Sequence, residues 1–386
     1  MADNIPFEIQ VEIIKRLPVK SLIQFRSVSK TWKHLIDSSD FIAHYSGQQQ
    51  HLLIRYDDVV CEEKYVSLID DDTFPQHKLS HTLPQLVNMP KLSSIIGSSH
   101  GLLCFYGVIR ENCGGYGSVQ TSLVVVWNIS IRKVVGVVVP KDGDGTFTSL
   151  GFGVCRETSD VKILKITHTE SMSDVTWQVD VFTLKTRAWR SSYGNLPRKT
   201  INFSVSKVVI DGVLYWLAIE SSDNRYLIIS FDMTSEEFRE VSLPDNIAYG
   251  FSDINSGTDL FLSKLSESLI VLERIVEANS YIFGVWMMKD GVSKLFTKLY
   301  TVNVNTPHAS LNFVRGFRKT GEPIIEFFEN HDSLSLRPHA SLATYEPHSK
   351  SVDSIGINGR GFSFFTHPYM ETLLLLDQPN SVIYDK

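Results

Sequence analysis

The chain has 386 residues, of which 43% are hydrophobic and 21% are charged. This is an ordinary globular composition, and the length is ample for a sizeable core in two or three domains. The formal net charge is −6 with no basic block, which argues against nucleic-acid binding, and no apolar stretch reaches the roughly eighteen residues of a membrane helix.

The N-terminus and the cysteines both indicate a reducing compartment. Asp3, Glu8 and Glu12 interrupt any apolar core that a secretory signal peptide would need. The four cysteines show no C-x-x-C and no paired spacing, so we expect reduced core residues and not a disulfide framework. The expected location is therefore cytoplasmic, nuclear or both. The two N-glycosylation sequons, at Asn128 and Asn202, are then expected to be coincidental.

The first forty residues have a helical pattern. Pro6 suits a first helical turn, and Ile9, Ile13 and Leu17 follow at i, i+4 and i+8, which places them on one apolar stripe. Pro18 ends this predicted helix.

Two further short helices are predicted. The second begins at Val19 and carries Leu22; the third spans Ser29–Ile36 and should align Trp32 with Val28 on one side. Three helices in about thirty-five residues are too few to sustain a core of their own. Their apolar side chains must pack either on the rest of this chain or on a partner, and the periodicity alone leaves both open.

This N-terminal run resembles an F-box. The resemblance rests on an I-P opening followed by R-L-P-V-K-S-L, then F-R-S-V-S-K-T-W-K-H-L-I, at consecutive spacings from Ile5 to Ile36. F-boxes dock on the Skp-type adaptor of SCF (Skp–cullin–F-box) ubiquitin ligases, with helices presenting apolar anchors to a groove. By that resemblance, the expected contact or anchor positions are Ile5, Pro6, Ile9, Ile13, Leu17, Pro18, Leu22 and Val28. Trp32 is expected either to join them or to pack internally against the first helix.

Beyond Tyr45 the sequence predicts β-structure. Apolar runs of four to eight residues alternate with clusters of Gly, Asn, Asp and Ser, with no helical pattern between them. One unit recurs, in which an aromatic strand end and a polar turn are followed by a returning strand. Its aromatic anchors are Trp127, Phe182, Phe231, Trp286 and Tyr345, with a weaker copy at Tyr65–Leu68. An apolar residue follows seven positions after four of these anchors, and the Trp286 copy needs about two extra turn residues around Asp290–Gly291.

A β-repeat of this length predicts propeller blades. The anchor spacings are 55, 49, 55 and 59 residues, and a period near fifty is typical of four-stranded blades around a channel. We expect about six blades, with a tandem of β-sandwiches as the alternative. A strand at Leu373–Leu376 is expected to close the ring by pairing with Leu52–Ile54.

The β-region resembles the F-box-associated domain of plant F-box proteins. The supporting motifs are S-H-G-L-L-C-F from Ser99, V-V-W-N-I-S from Val125, G-F-G-V from Gly151, D-G-V-L-Y-W-L from Asp211 and I-S-F-D-M from Ile229. The chain has one Gly-Gly, whereas kelch blades carry one each. The expected division is an F-box domain at residues 1–46 and a propeller domain at residues 47–386.

Catalytic patterns are nearly absent. Gly97–Gly101 fits G-x-S-x-G with Ser99 as a nucleophile, but that motif requires a helix after it and a strand run follows instead. The twelve histidines lack metal-ligand spacing, and no P-loop or G-x-G-x-x-G occurs. We expect no catalytic residue, no metal and no cofactor.

The resemblance therefore implies a non-catalytic substrate receptor. The F-box would bind a Skp-type adaptor and through it a cullin, and the propeller would bind a target protein for ubiquitination. A non-ligase F-box scaffold is the alternative. Four loops are candidates for target contact, namely Ile109–Ser118, Thr167–Asp174, Glu220–Arg225 and Asn303–Leu311.

Overall fold

A cluster of short helices precedes a β-body. The computed structural model describes residues 5–89, 91–113, 117–143, 146–169, 177–192, 196–198, 200–249, 259–277, 280–289, 295–306, 309–329 and 338–385. The helices are α1 (Phe7–Ile14), α2 (Val19–Phe25), α3 (Lys30–Ile36), α4 (Ser39–His44), α5 (Gln85–Asn88) and α6 (Asp245–Ala248). The N-terminal module (residues 5–44) thus has four helices, where the sequence predicted about three.

Serine caps explain the extra helix. Ser29 Oγ accepts a hydrogen bond from the Trp32 N–H at the start of α3 (3.5 Å), and Ser38 Oγ accepts one from the Phe41 N–H at the start of α4 (3.3 Å). Each cap satisfies one of the amide groups that a helix start leaves unpaired. The second cap follows α3 directly and starts a helix of only six residues, which is too short for its periodicity to be seen in the sequence.

The β-body is built of antiparallel meanders. The first half of its strands are β1 (Ser46–Asp57), β2 (Glu63–Ile69), β3 (Lys78–His81), β4 (Lys91–Ser99), β5 (Leu102–Cys113), β6 (Gly117–Asn128), β7 (Lys133–Val138), β8 (Thr146–Val154), β9 (Val161–Thr169), β10 (Trp177–Thr183), β11 (Ala188–Ser191), β12 (Ile201–Ile210) and β13 (Val213–Glu220). The second half are β14 (Arg225–Asp232), β15 (Phe238–Val241), β16 (Asp259–Leu265), β17 (Ser268–Glu277), β18 (Ser280–Lys289), β19 (Leu295–Val302), β20 (Asn305–Thr306), β21 (Ala309–Phe317), β22 (Pro323–Glu329), β23 (His339–Tyr345), β24 (Val352–Arg360), β25 (Phe365–Thr372) and β26 (Val382–Tyr384).

These strands form six sheets within the described residues. Sheet 1 has the order β25-β1-β2-β3, and sheet 2 has the order β26-β7-β6-β5-β4. Sheets 3, 4 and 5 are β8–β11, β12–β15 and β16–β19, and sheet 6 is β20–β24. Only β26, which pairs with β7, is parallel to its neighbour among the described pairs.

The sequence repeat corresponds to one strand position in every sheet. The anchors lie in successive sheets, with Trp127 in β6, Phe182 in β10, Phe231 in β14, Trp286 in β18 and Tyr345 in β23. Each is in the third strand of its sheet, counted from β4, β8, β12, β16 and β21 when the two-residue β20 is left out. The weak copy at Tyr65–Leu68 lies in β2, which holds the same position in sheet 1.

The seven-residue spacing within the repeat is a cross-strand pair beside a short turn. The four regular pairs are Trp127 with Val134, Phe182 with Trp189, Phe231 with Phe238 and Tyr345 with Val352. Trp286 pairs instead with Lys298, which is twelve positions later. The insertion in this hairpin is therefore longer than the two residues predicted. Asp290 and Gly291, to which that insertion was assigned, lie outside the described residues.

Apolar clusters join consecutive sheets. Shared cores lie between sheets 1 and 2, 2 and 3, 3 and 4, 4 and 5, and 5 and 6. A further core packs Leu52 and Ile54 of sheet 1 against Ile324 and Leu342 of sheet 6. Because each sheet covers a face of the next, none of the six relies on the helices alone for its core.

The C-terminal strand differs from the prediction. The partner of Leu52–Ile54 is Thr366–Pro368 in β25, and not Leu373–Leu376, which form a buried turn. This strand was not predicted because it contains Pro368. Proline has no N–H to donate to a second neighbouring strand, so it is expected only in an edge strand. β25 is such an edge strand, because β1 is its single partner among the described strands.

A buried asparagine holds the chain that leaves β25. Asn128 has no exposed surface, and its Nδ2 donates to the carbonyl oxygens of Thr372 (3.1 Å) and Leu374 (2.8 Å). Its Oδ1 accepts from the Ser130 N–H at 2.9 Å. Both polar atoms of the amide are therefore used, which excludes this sequon as a glycosylation site in the folded protein.

Candidate functional site

The outer face of the helical module consists of exposed apolar side chains. Ile9 and Ile13 lie one turn apart on α1 and are 51% and 47% exposed. Ile5 is 52% exposed just before that helix, and Val28 is 68% exposed between α2 and α3. Large aliphatic groups in water are unfavourable by about 25 cal/mol per Å², so this cluster is a surface suited to being covered. We call Ile5, Ile9, Ile13 and Val28 the outer face.

The inner face of the same module packs on the β-body. Ile14, Val19, Leu22 and Ile36 are at most 2% exposed. They belong to one apolar core with side chains of sheets 2 and 3 and with Leu373–Leu376. Of the two alternatives left open by the periodicity, packing on the rest of this chain is confirmed for the inner face, whereas the outer face remains exposed.

Two polar contacts fix the module to the body. The Val19 N–H donates to Glu371 Oε2 at 3.2 Å, and Ser159 Oγ donates to the Ala43 carbonyl at 3.0 Å. Burial and the nearby Glu371 raise the pKa of Tyr45, which keeps its phenol protonated. That phenol donates to the Leu17 carbonyl at 2.6 Å, at the end of the first helical segment.

Three of the predicted contact positions have internal partners. Leu22 has no exposed surface, so it cannot touch a partner while the inner face stays packed; its assignment as a direct contact has to be corrected. Leu17 is partly buried against the same core. Trp32 packs inside the module, since its Nε1 donates to Gln10 Oε1 at 3.1 Å and its ring lies 5.2 Å from that of Phe25.

The other predicted positions are accessible. Pro6 and Pro18 are exposed at the N-caps of α1 and α2. Val28 does not share the buried side of Trp32 as predicted, because it precedes α3 and points to solvent. Phe7, which the sequence reasoning omitted, is 45% exposed at the start of α1; its place one residue after the I-P opening was the available signal.

Two cavities lie along strands β4, β12, β16 and β21, which we call the inner strands of the body. The junction cavity, of about 350 Å³, lies next to Ala43–Ser46 and the turns that follow β4, β12, β16 and β21. The channel cavity, of about 500 Å³, lies along the preceding parts of the same strands and the start of β25. Both are lined by Val209, Lys264, Phe317, His367 and Pro368. They are thus two ends of one channel, and the channel cavity is the end away from the helices.

The channel contains basic side chains in a desolvated setting. Burial lowers the pKa of Lys207 to about 8 and also lowers that of Lys264. Burial lowers the pKa of His367 well below its usual value, with the Lys264 charge acting in the same direction. Lys207 Nζ lies 4.6 Å from the centre of the Trp216 ring. The sequence signal for this site was a lysine inside an apolar strand, in S-V-S-K-V-V-I and F-L-S-K-L.

The G-x-S-x-G match is a β-turn. Ser99 ends β4, Leu102 begins β5 and the two residues pair directly. Gly101 has φ +72° at this turn, where a Cβ would lie 2.6 Å from the Met370 carbonyl oxygen. Ser99 Oγ lies 2.9 Å from His100 Nδ1, but no carboxylate of the described residues bonds to that imidazole. This geometry lacks the strand–helix elbow that activates such a serine.

No group of three or more metal-binding side chains occurs among the described residues. In the same part of the chain, no helix is long and apolar enough to cross a membrane. Of the four candidate loops, Glu220–Arg225 lies within the described residues as the turn between β13 and β14. The other three include residues outside them.

Comparison with known proteins identifies the family. The F-box domain model matches residues 3–44, and the model of the F-box associated beta propeller domain matches residues 100–331, more than half of the chain. The chain therefore belongs to the family of F-box proteins with an associated β-propeller domain, as the resemblance implied.

Relatives in Arabidopsis thaliana agree with this assignment. The F-box protein At1g52495 is 29% identical over 63% of this chain and 58% of its own length. The F-box protein At2g21930 is 30% identical over 61% and 59%, and At5g18160 is 26% identical over 93% and 83%. The chain thus spans less than two thirds of the first two relatives.

Similarity to solved structures is weak. The β-propeller domain of the Trilobed protease from Pyrococcus furiosus aligns with a TM-score of 0.35 and 12% identity, over 69% of this chain and 72% of that chain. This likeness is too low to bear on activity.

Proposed function

We propose that this protein is the substrate-recognition subunit of an SCF-type ubiquitin ligase. Residues 1–46 would form the F-box that binds a Skp-type adaptor and through it a cullin, and residues 47–386 would form a propeller that binds a target protein. The protein itself would break no bond. It would raise the effective concentration of the target near a ubiquitin carrier, in the cytoplasm, the nucleus or both.

The observation that carries this proposal is the outer face. Ile5, Ile9, Ile13 and Val28 remain 47–68% exposed although the helices already pack on the body through other residues. Such a cluster suits insertion into the groove of a helical partner. Together with the exposed Pro6 and Pro18, this face replaces Leu22 and Trp32 as the proposed contact surface.

The proposed body is a six-bladed propeller closed by β25. Its support is the six sheets, the core shared by sheets 6 and 1, and the pairing of β25 with β1. The proposed boundary at residue 46 is supported by the end of α4 at His44 and the start of β1 at Ser46.

Adaptor capture tests the proposal. Ile9→Asp with Ile13→Asp places two carboxylates on the outer face, and burying them unpaired in an interface should weaken adaptor binding by about 100-fold or more. The matched control is Val59→Asp, an equally exposed apolar residue (60%) in the turn after β1, which should leave binding unchanged.

The measurement is affinity purification of the full chain from plant extract with mass spectrometry, with and without proteasome inhibition. Adaptor and cullin recovered with the wild type and the control, but lost with the double variant, is the expected result. Unchanged recovery with the double variant contradicts the proposal. Adaptor without cullin favours a non-ligase scaffold.

A further inference from the structure

The channel cavity is apolar and aromatic at its opening. Its walls include Phe261, Phe313, Phe364 and Phe365. At its edge Val205 is 92% exposed and Phe362 is 64% exposed. Exposed apolar side chains around a cavity of about 500 Å³ are typical of a binding site.

The charged side chains that line the cavity are of one sign. Lys207, Lys264, Arg274 and Arg315 line the cavity, and no carboxylate does so among the described residues. The chain as a whole carries a formal charge of −6, so a wall bearing only cations differs from the average surface.

Two of these cations are neutralised and two are not. Arg274 pairs with Asp259, and Arg315 pairs with Glu326, which is itself fully buried. Within the described residues, Lys207 and Lys264 have no carboxylate within 4.0 Å. Both ammonium groups are partly buried and lack a charge partner in that part of the chain, which an anionic ligand in the cavity would supply.

The phenylalanine walls and the two unpaired lysines together restrict the kind of ligand that fits the cavity. A free inorganic anion would satisfy the lysines but would leave the phenylalanine walls uncovered. An apolar peptide would cover the walls but leave the charges unpaired. A peptide segment that carries aromatic or aliphatic side chains together with a carboxylate complements both features.

We propose that the channel cavity binds a short acidic–apolar segment of the target protein, with its carboxylate directed at Lys207 and Lys264. This inference rests on the proposed receptor function, since it names the site and the chemistry by which the target would be held. It places target and adaptor on opposite sides of the body, because the channel cavity is the end away from the helices.

A displayed library of random twelve-residue peptides, selected on the full chain, tests this site. The expected outcome is enrichment of sequences with Asp or Glu among aromatic or aliphatic residues. The strongest binders are then synthesised with Asn or Gln in place of the acid, and these should bind at least about 30-fold more weakly, as for a partner removed from a buried charge pair.

Matched lysine variants locate the contact. Lys207→Met with Lys264→Met keeps the side-chain length and removes the charges, so it should abolish the difference between acidic and amide peptides. Lys207→Arg with Lys264→Arg keeps the charges and should retain the preference. Circular dichroism and adaptor binding of both variants should match the wild type.

The inference is overturned by no enrichment of acids, by equal binding of acidic and amide peptides to the wild type, or by an acid preference that survives the methionine variant. Displacement of the peptides by inorganic phosphate alone at millimolar concentration, without any enriched apolar residue, also overturns it in favour of a small-anion site. Ile9→Asp with Ile13→Asp should not affect peptide binding. If the wild type does not bind the adaptor, the proposed function is refuted, whereas the result for the peptide site stands on its own.

Discussion

The helical module and the β-body treat their apolar side chains differently. In the body each sheet covers the next, so the apolar residues of the strands are buried by the same chain. The module has too few residues to do this, and only its inner face is covered, by sheets 2 and 3 and the C-terminal leucines. Its outer face stays exposed. The comparison indicates that inner-face residues maintain the fold, whereas outer-face residues are available for association.

Two adjacent isoleucines on α1, Ile13 and Ile14, allow the most direct test of this difference between the faces. Ile14 is 2% exposed and Ile13 is 47% exposed. Ile14→Ala should lower the free energy of unfolding by about 3 kcal/mol, because it leaves a cavity in the core. Ile13→Ala should change it by less than about 0.5 kcal/mol. Urea denaturation followed by fluorescence measures both, and equal effects would show that the two faces are not distinct.

The two sequon asparagines, Asn128 and Asn202, test within the body whether a buried and an exposed position differ in their effect on stability. Asn128→Ala removes the amide that holds the chain after β25 and leaves buried carbonyl groups unpaired, which should cost about 2 kcal/mol. Asn202→Ala is the control, since its hydrogen bond to Ser221 Oγ is at an exposed position. The control should lie within about 0.5 kcal/mol of the wild type. A similar loss in both variants would contradict the role given to Asn128.

The channel lysine gives a smaller effect with a defined pH dependence. Because burial lowers the pKa of Lys207 to about 8, the folded protein binds this proton less tightly than the unfolded chain, where the pKa is about 10.4. The resulting penalty is fully present below about pH 8 and disappears as the pH rises towards the unfolded value.

Lys207→Met should therefore stabilise the protein at pH 7 by about 1 kcal/mol, after allowance for the lost contact with the Trp216 ring. The gain should shrink between about pH 8 and 10.4. Thermal unfolding across this range measures it, with the exposed Lys20→Met as control. A variant less stable than the wild type at pH 7 would argue that the charge is compensated.

Local patterns in the sequence were sufficient for much of this structure. The recurring aromatic and the polar turn predicted one strand position in all six sheets, because a seven-residue spacing fixes a cross-strand pair wherever the turn is short. Trp286 departs from this rule because three further cross-strand pairs, ending at Lys289 with Leu295, lie between it and the turn. Periodicity also found the first three helices.

What the sequence did not reveal depends on distant contacts. Leu22 and Ile13 both fit an apolar helical stripe, and the position of sheets 2 and 3 and of the C-terminal leucines decides which of them is covered. Likewise, Lys207 and Lys264 lie 57 positions apart in the chain, and they share a cavity only because β12 and β16 are inner strands of neighbouring sheets. No local pattern contains that information.

The Leu373–Leu376 turn has a consequence for biosynthesis. The helices are translated before β1, yet part of the surface on which they pack is translated 337 positions after Ile36. Until Leu373–Leu376 are made, Ile14, Val19, Leu22 and Ile36 lack part of their packing surface, and a chain truncated before that turn would expose apolar residues on both faces of the module. Translation past Leu376 is thus a precondition for a module with one buried and one exposed apolar face.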